Sequence, residues 1–134
     1  MSIAATNAAR DWISASDPDP DHADVWLRAA SVIILPLGYK WCAVKVPAVP
    51  GERAVQAGLA GPAILEPGRR VYFPVPLGTD ETWDIPGTKC LGDGYLGVPG
   101  PKITQGPGIH WLSLPTGALV DPDELHAALT PPCP

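Results

Sequence analysis

Proline and glycine interrupt this sequence so often that turns must dominate its fold. There are 18 prolines and 14 glycines, so the two types fill 32 of 134 positions, close to the proportion found in low-complexity chains. However, five tryptophans, three tyrosines, a 46% hydrophobic content and a mean hydropathy of +0.08 supply enough apolar surface for a core. The sequence therefore predicts one compact domain with short elements and many turns.

Charge is distributed unevenly along the chain. The net charge is -5, and residues 1–24 hold five aspartates against one arginine, while the other 110 residues hold eight basic and nine acidic side chains. A near-neutral body has no long-range basic field to gather phosphates, so non-specific nucleic-acid binding is not expected. A nucleotide or another small molecule fits this charge better as a ligand.

The sequence favours a cytoplasmic protein. Residues 1–16 lack the cationic and apolar regions of a signal peptide, and the longest apolar run, 32–37, is far shorter than the about 20 residues that cross a bilayer. Cys42, Cys90 and Cys133 are odd in number and widely spaced, which predicts reduced thiols and neither a disulfide framework nor a zinc ribbon. We expect no metal, no cofactor and no membrane contact.

Apolar periodicity predicts a single-domain α+β fold with a largely antiparallel sheet of five or six strands, helices at both termini and one in the middle. The predicted elements are helices at 5–13 and 23–30, strands at 31–36 and 41–46, a helix at 50–59, strands at 63–65, 70–75, 90–98 and 109–114, and a helix at 121–129. The alanine-rich helix and an acidic proline linker occupy residues 1–22, and the α+β domain occupies residues 23–134. The apolar stripe of the first helix is narrow and needs a partner surface. One hypothesis is that the protein self-associates through this helix.

Two turns predict hairpins. Residues 37–40 should return strand 31–36 into strand 41–46, and residues 66–69 should join 63–65 to 70–75. In the latter strand Val71, Phe73 and Val75 alternate inward, while Pro74 lacks a backbone donor and predicts a strand that lies at a sheet edge or leaves early.

A glycine pattern resembles a dinucleotide-binding motif. Gly92, Gly94 and Gly97 match G-x-G-x-x-G, but the mechanism needs a helix to follow, and Val98-Pro-Gly-Pro101 cannot form one. We interpret the motif as a strand with a close backbone approach.

The aspartates of the linker resemble a cation site. Asp17, Asp19 and Asp21 alternate like calcium ligands, but His22 and Arg28 stand where the loop needs glycine and glutamate. Helix capping is the better interpretation.

The candidate catalytic residues are His110 and Asp84. His110 follows a glycine loop and enters a strand, and Asp84 is the loop carboxylate that would orient it for acid/base chemistry. The alternative is that His110 is a hydrogen-bonded core residue.

The candidate binding residues are mainly aromatic. They are Trp41, Lys45, Tyr72, Trp83 and Trp111. Together with Arg69 and Arg70 they could stack bases and hold a few phosphates on one concave surface. Core packing is the default interpretation for each tryptophan.

The order of several segments carries a family resemblance. The segments are Trp26, Val32-Ile-Ile-Leu-Pro36-Leu-Gly38, Trp41-Cys-Ala-Val-Lys-Val-Pro47, Gly61-Pro62-Ala-Ile, Tyr72-Phe-Pro-Val-Pro-Leu-Gly78-Thr79, Trp83, Gly94-Tyr-Leu-Gly-Val-Pro99 and Gly108-Ile-His110-Trp111. Over residues 24–130 this pattern is similar to small actinobacterial proteins labelled bifunctional DNA primase/polymerase, N-terminal domain-like.

The resemblance implies a primase/polymerase-like fold with a degenerate active site. Active relatives carry an Asp-x-Asp for two metals and then a glycine-rich segment that ends in histidine. Residues 106–110 match the second element, but no strand before His110 pairs two acids. We therefore expect a non-catalytic module that binds a nucleotide, a nucleic-acid end or a protein partner. The alternative is a small metal-free enzyme of specialised metabolism that uses His110 as general acid/base.

Overall fold

The computed structural model describes residues 3–29 and 31–130 and shows a single-domain α+β fold. Its helices are α1 (Ile3–Ala15), α2 (Pro20–Ala29), α3 (Ala48–Gln56) and α4 (Pro122–Leu129), and one 3-10 turn covers Thr79–Glu81. Its strands are β1 (Val32–Pro36), β2 (Cys42–Pro47), β3 (Ala63–Glu66), β4 (Arg70–Val75), β5 (Lys89–Leu91), β6 (Tyr95–Pro99) and β7 (His110–Ser113). The predicted fold class is confirmed.

The strands form two antiparallel sheets. The larger sheet has the order β5-β2-β4-β3-β7, and β1 pairs only with β6 in a second, two-stranded sheet. The predicted β3–β4 hairpin is confirmed, but the predicted β1–β2 hairpin is wrong. The turn after β1 carries the chain from one sheet to the other. Its first residue stays beside β6, because the Leu37 N–H donates to the Gly94 carbonyl at 2.8 Å.

β4 lies in the centre of the larger sheet and not at its edge, but it leaves its pairing with β3 before Pro74, which agrees with the alternative that the strand leaves early. Pairing of β4 with β3 covers only Arg70 to Tyr72, so the ladder needs no donor from Pro74 on that side. The Pro74 carbonyl instead accepts a hydrogen bond from the Val120 N–H at 2.9 Å. The strand ends at Val75, before the second proline.

The larger sheet separates two apolar cores. Alternate residues such as Ala43, Ile64 and Trp111 face the two-stranded sheet, α1 and α2, and this side is the first core. The intervening residues, such as Val44 and Phe73, face α3 and α4 and form the second core. The predicted inward side chains of β4 are confirmed, because Val71, Phe73 and Val75 are all buried in the second core.

Helix α1 has its partner surface within the chain. Ala9 and Ile13 are fully buried, and the Trp12 ring stacks on Trp41 with centroids 5.1 Å apart and meets Trp111 edge-on at 6.2 Å. Part of the apolar stripe of α1 therefore packs within the chain, and self-association through this helix stays a prediction.

Asp17 and Asp19 shape the start of α2. The Asp19 Oδ1 accepts the His22 N–H at 3.3 Å, while Asp17 accepts the Asp19 N–H at 2.8 Å and contacts the His22 Nδ1 at 2.9 Å. The capping interpretation is confirmed for Asp19, while Asp17 stabilises the turn before the helix and Asp21 lies within the first turn of α2.

The glycine motif marks a close backbone approach, as expected. A Cβ on Gly92 would overlap the Asp80 carboxylate, and a Cβ on Gly38, whose φ is +81°, would overlap the Gly92 carbonyl oxygen. The segment after Gly94 is strand β6 and not a helix, so it lacks the helix N-terminus that a pyrophosphate would need.

A candidate anion-binding cleft

Three of the predicted binding residues lie in the first core. Trp41, Tyr72 and Trp111 are 1%, 8% and 1% exposed. The indole N–H of Trp41 donates to the Ser16 Oγ, and that of Trp111 donates to the Pro99 carbonyl, both at 2.8 Å. These rings pack the interior, so the expected concave aromatic surface is not formed.

Trp83 is a half-buried residue beside the second core. Its indole N–H donates to the Thr88 Oγ1 at 2.8 Å, and its ring meets His126 edge-on at 6.1 Å. These contacts fix the loop that leads into β5.

The structure does not pair His110 with Asp84. The His110 Nδ1 contacts the carbonyl of Gly108 at 2.9 Å, while Asp84 lies 3.6 Å from the Nε2 of His126. The predicted orienting role of Asp84 toward His110 therefore has no geometric basis. No pattern in the sequence pointed to His126 as the partner, because the contact joins a loop to α4.

Asp84, His126 and Thr130 are among the residues that line a cleft of about 410 Å³. The Thr130 Oγ1 donates to the His126 carbonyl at 2.8 Å, so its proton is not directed toward a base. The Asp84 and His126 side chains are 80% and 50% exposed, and an ion pair so exposed contributes little stability. This arrangement favours no particular reaction.

The basic side chains meet on the face of the larger sheet that carries the first core. Lys45 lies on β2, Arg69 and Arg70 lie at the end of the β3–β4 turn and the start of β4, and Gly87 lies in the loop before β5. With Pro47 these residues line a cavity of about 190 Å³. Lys89 lies directly opposite Lys45 in the β2–β5 ladder. We call these six residues the basic cleft.

Like charges face each other in the basic cleft. Side chains directly opposite in an antiparallel pair have Cβ atoms about 4.5–5.5 Å apart, and like charges there are destabilising. Within residues 3–29 and 31–130, neither Lys45 nor Lys89 has a carboxylate within ion-pair distance. The cleft therefore holds positive charge that the described chain leaves uncompensated.

Glu66 is the acid that contacts this cluster. Its carboxylate oxygens lie 3.5 Å from the Arg69 Nη1 and 3.9 Å from the Arg70 Nε. Both distances exceed those of charge-assisted hydrogen bonds, about 2.7–2.9 Å. The guanidinium groups thus have donors left with which to bind another anion, in competition with Glu66.

The sequence anticipated part of this site. Lys45, Arg69 and Arg70 were expected to hold phosphates together, and the structure brings them to one cavity. It did not anticipate Lys89 or Gly87, because β5 pairs with β2 across more than 40 residues. No local signal encodes that pairing.

Two cysteines lie near the other side of β2. Cys42 and Cys90 are free thiols, as expected, and Cys133 falls outside the described residues. Burial raises the pKa of Cys90 to about 12, with Cys42 and Asp80 acting in the same direction. Burial also raises the pKa of Cys42, against the opposing hydrogen bond from the Gly78 backbone.

These thiols are expected to react slowly with alkylating agents. A pKa of about 12 in place of 9.0 lowers the thiolate fraction at pH 8 about 1000-fold, and only the thiolate reacts. Peptide-resolved mass spectrometry after iodoacetamide treatment should show Cys90 far less labelled in native protein than in urea. Equal rates would contradict the raised pKa.

The same shift has a consequence for stability. A group whose pKa is raised by folding contributes stability that is complete below its unfolded pKa and is lost as pH rises toward the folded value. The free energy of unfolding should therefore fall between pH 9 and 12 more steeply in the wild type than in Cys90→Ala. Parallel pH profiles would contradict this linkage.

Among the residues that the structure describes, no three His, Cys, Asp or Glu side chains come together as a metal site would require. In the same part of the chain, no helix has both the length and the apolar character needed to span a bilayer.

The comparisons with known proteins give no relative. No protein-family model, curated protein or solved structure matches the sequence. The similarity to primase/polymerase-like proteins therefore stays a prediction.

Proposed function

We propose that this protein is a non-catalytic binding module of primase/polymerase-like type. Its ligand carries phosphate, as a nucleotide or a nucleic-acid end does, and the phosphate is held in the basic cleft. The observation that carries the proposal is the cross-strand pair Lys45 and Lys89, neither of which has a carboxylate within ion-pair distance in the described chain. Lys45 also lines one cavity with Arg69 and Arg70. Placing two ammonium groups opposite each other costs stability, and a bound anion offsets that cost.

The side chains suit phosphate chemically. Arginine presents a planar fork of donors that matches phosphate oxygens, whereas lysine acts as a compact point charge. The backbone at Gly87, with φ +79° and no atom within 4 Å of a Cβ position, leaves the cleft open on its loop side. The cleft thus combines two forks, two point charges and access for a ligand.

The proposal that the module is non-catalytic rests on the arrangement of its acidic side chains. Two-metal transfer needs carboxylates on rigid elements. Asp17 and Asp19, the closest match to a paired motif, are occupied at the start of α2, where Asp17 bonds the Asp19 N–H and Asp19 bonds the His22 N–H. His110 contacts its own loop through Gly108.

Titration of a fluorescent nucleoside triphosphate by anisotropy tests the binding site. Lys45→Ala should weaken the affinity about tenfold, since a hydrogen bond to a charged group contributes about 1.5–3 kcal/mol. Arg53→Ala is the matched control, because it removes the same charge from an exposed position on α3. Equal losses in the two variants, or no binding by the wild type, would refute the site.

Primer extension tests the absence of catalysis. The wild type is incubated with Mn²⁺, a labelled primer on a single-stranded template, and nucleoside triphosphates. We expect no extended product. Extension above a buffer control would show that the protein retains a polymerase centre.

A further inference from the structure

We infer that the basic cleft takes a compact polyphosphate, such as inorganic triphosphate or the di- or triphosphate group of a nucleotide, in preference to a nucleic-acid strand. This inference rests on the proposed function and narrows its ligand class. Three features support it: the charge balance of the cleft against the rest of the chain, the burial of the aromatic rings, and the position of Glu66.

The charge balance opposes a long polyanion. Lys45, Arg69, Arg70 and Lys89 against Glu66 give the cleft a net charge of +3, from four of the nine basic and one of the fourteen acidic side chains. The rest of the chain then holds five basic and thirteen acidic side chains, a net charge of -8. A nucleic-acid strand that extends beyond the cleft is therefore repelled by the negative charge of the rest of the chain. A compact anion stays within about one Debye length of the cations, about 8 Å at physiological salt.

Three of the aromatic rings predicted to bind bases are not placed to contact a nucleic-acid strand. Proteins that bind single strands combine a basic groove with exposed rings on which successive bases stack. Trp41, Tyr72 and Trp111 are buried in the first core, so they offer no stacking surface. The cavity of about 190 Å³ gathers its cations at one place and does not extend them along a track.

Glu66 competes with any anion for the guanidinium groups of the cleft. Its side chain is 30% exposed and lies close to both Arg69 and Arg70. An orthophosphate that reaches only the guanidinium groups gains little over Glu66, while a triphosphate is long enough to engage Lys45 and Lys89 as well. Glu66 therefore lowers the affinity of every anion, and ligands that reach the lysines offset this loss.

Calorimetric titration of the full chain with four probes tests the inference. The probes are orthophosphate, inorganic triphosphate, ATP, and a 5′-phosphorylated single-stranded 12-mer. Inorganic triphosphate and ATP should each bind at least about tenfold tighter than orthophosphate and than the oligonucleotide. If ATP binds much tighter than inorganic triphosphate, the nucleotide is the source of the polyphosphate; equal affinities indicate the inorganic ion. Both results support the inference.

Variants of Glu66 sharpen the test. Glu66→Gln should tighten the binding of orthophosphate and of triphosphate, each by about threefold or more, while Glu52→Gln on α3 should leave both affinities unchanged. An oligonucleotide that binds as tightly as triphosphate would overturn the inference but leave the proposed function standing. No binding of any probe would overturn both, and unchanged affinities in Glu66→Gln would overturn the competition of Glu66 with the ligand.

Discussion

Trp41→Ala is expected to lower the free energy of unfolding by about 3–5 kcal/mol, the usual cost of truncating a buried tryptophan. Trp41 is 1% exposed and stacks on Trp12, so its loss leaves a cavity between α1 and the larger sheet. It also leaves the Ser16 Oγ without the indole donor that it accepts from. Urea unfolding followed by circular dichroism measures the change.

Trp26→Ala is the matched control for this prediction. Trp26 lies on α2 and is 41% exposed, so the same truncation should cost less than about 1 kcal/mol. Ser16→Ala should cost an intermediate amount, about 1–3 kcal/mol, because it leaves the buried Trp41 N–H unpaired. Similar losses in Trp41→Ala and Trp26→Ala would contradict the placement of α1 on the first core.

Lys89→Glu is expected to change binding and stability in opposite directions. It replaces a like-charged cross-strand pair with an attractive one, which should raise the free energy of unfolding by about 0.2–1 kcal/mol. At the same time it lowers the net charge of the basic cleft from +3 to +1, so affinity for inorganic triphosphate should fall about 100-fold. Thermal unfolding and calorimetric titration of one sample measure both effects.

Lys102→Glu provides the same charge change at an exposed position in the loop after β6. It should alter neither stability nor affinity by more than about twofold in equilibrium constant. A Lys89→Glu variant that loses stability and binding together would indicate a structural role for Lys89. A variant that gains stability and keeps its affinity would place the ligand elsewhere.

Local signals in the sequence identified most elements but not their partners. Asp121 followed by Pro122 predicts α4, and the structure shows the Asp121 side chain accepting the Asp123 and Glu124 N–H groups. The pairing of β1 has no such local signal. The alternation of apolar residues in β1 indicates which side chains are buried, but it does not indicate which strand lies beside β1. The partner of β1 is β6, more than 50 residues away, so the expected hairpin with β2 was wrong.

The candidate site shows the same limit. The charges of Lys45, Arg69 and Arg70 indicated phosphate contacts, and the β3–β4 hairpin that brings two of them together has a local turn signal. The aromatic part of the prediction left two alternatives open, because a tryptophan in an alternating strand is equally suited to a core and to a ligand surface. Trp41 and Trp111 lie in the first core, where α1 and the two-stranded sheet cover them.

The most direct test of the account is an amide chemical-shift titration of ¹⁵N-labelled protein with inorganic triphosphate. The account predicts saturable shifts concentrated at Lys45, Arg69, Arg70, Gly87 and Lys89, the residues of the basic cleft that carry a backbone N–H. Shifts that do not saturate, or that centre on the cleft beside Asp84 and His126, would contradict the claim that this protein binds its anion in the basic cleft.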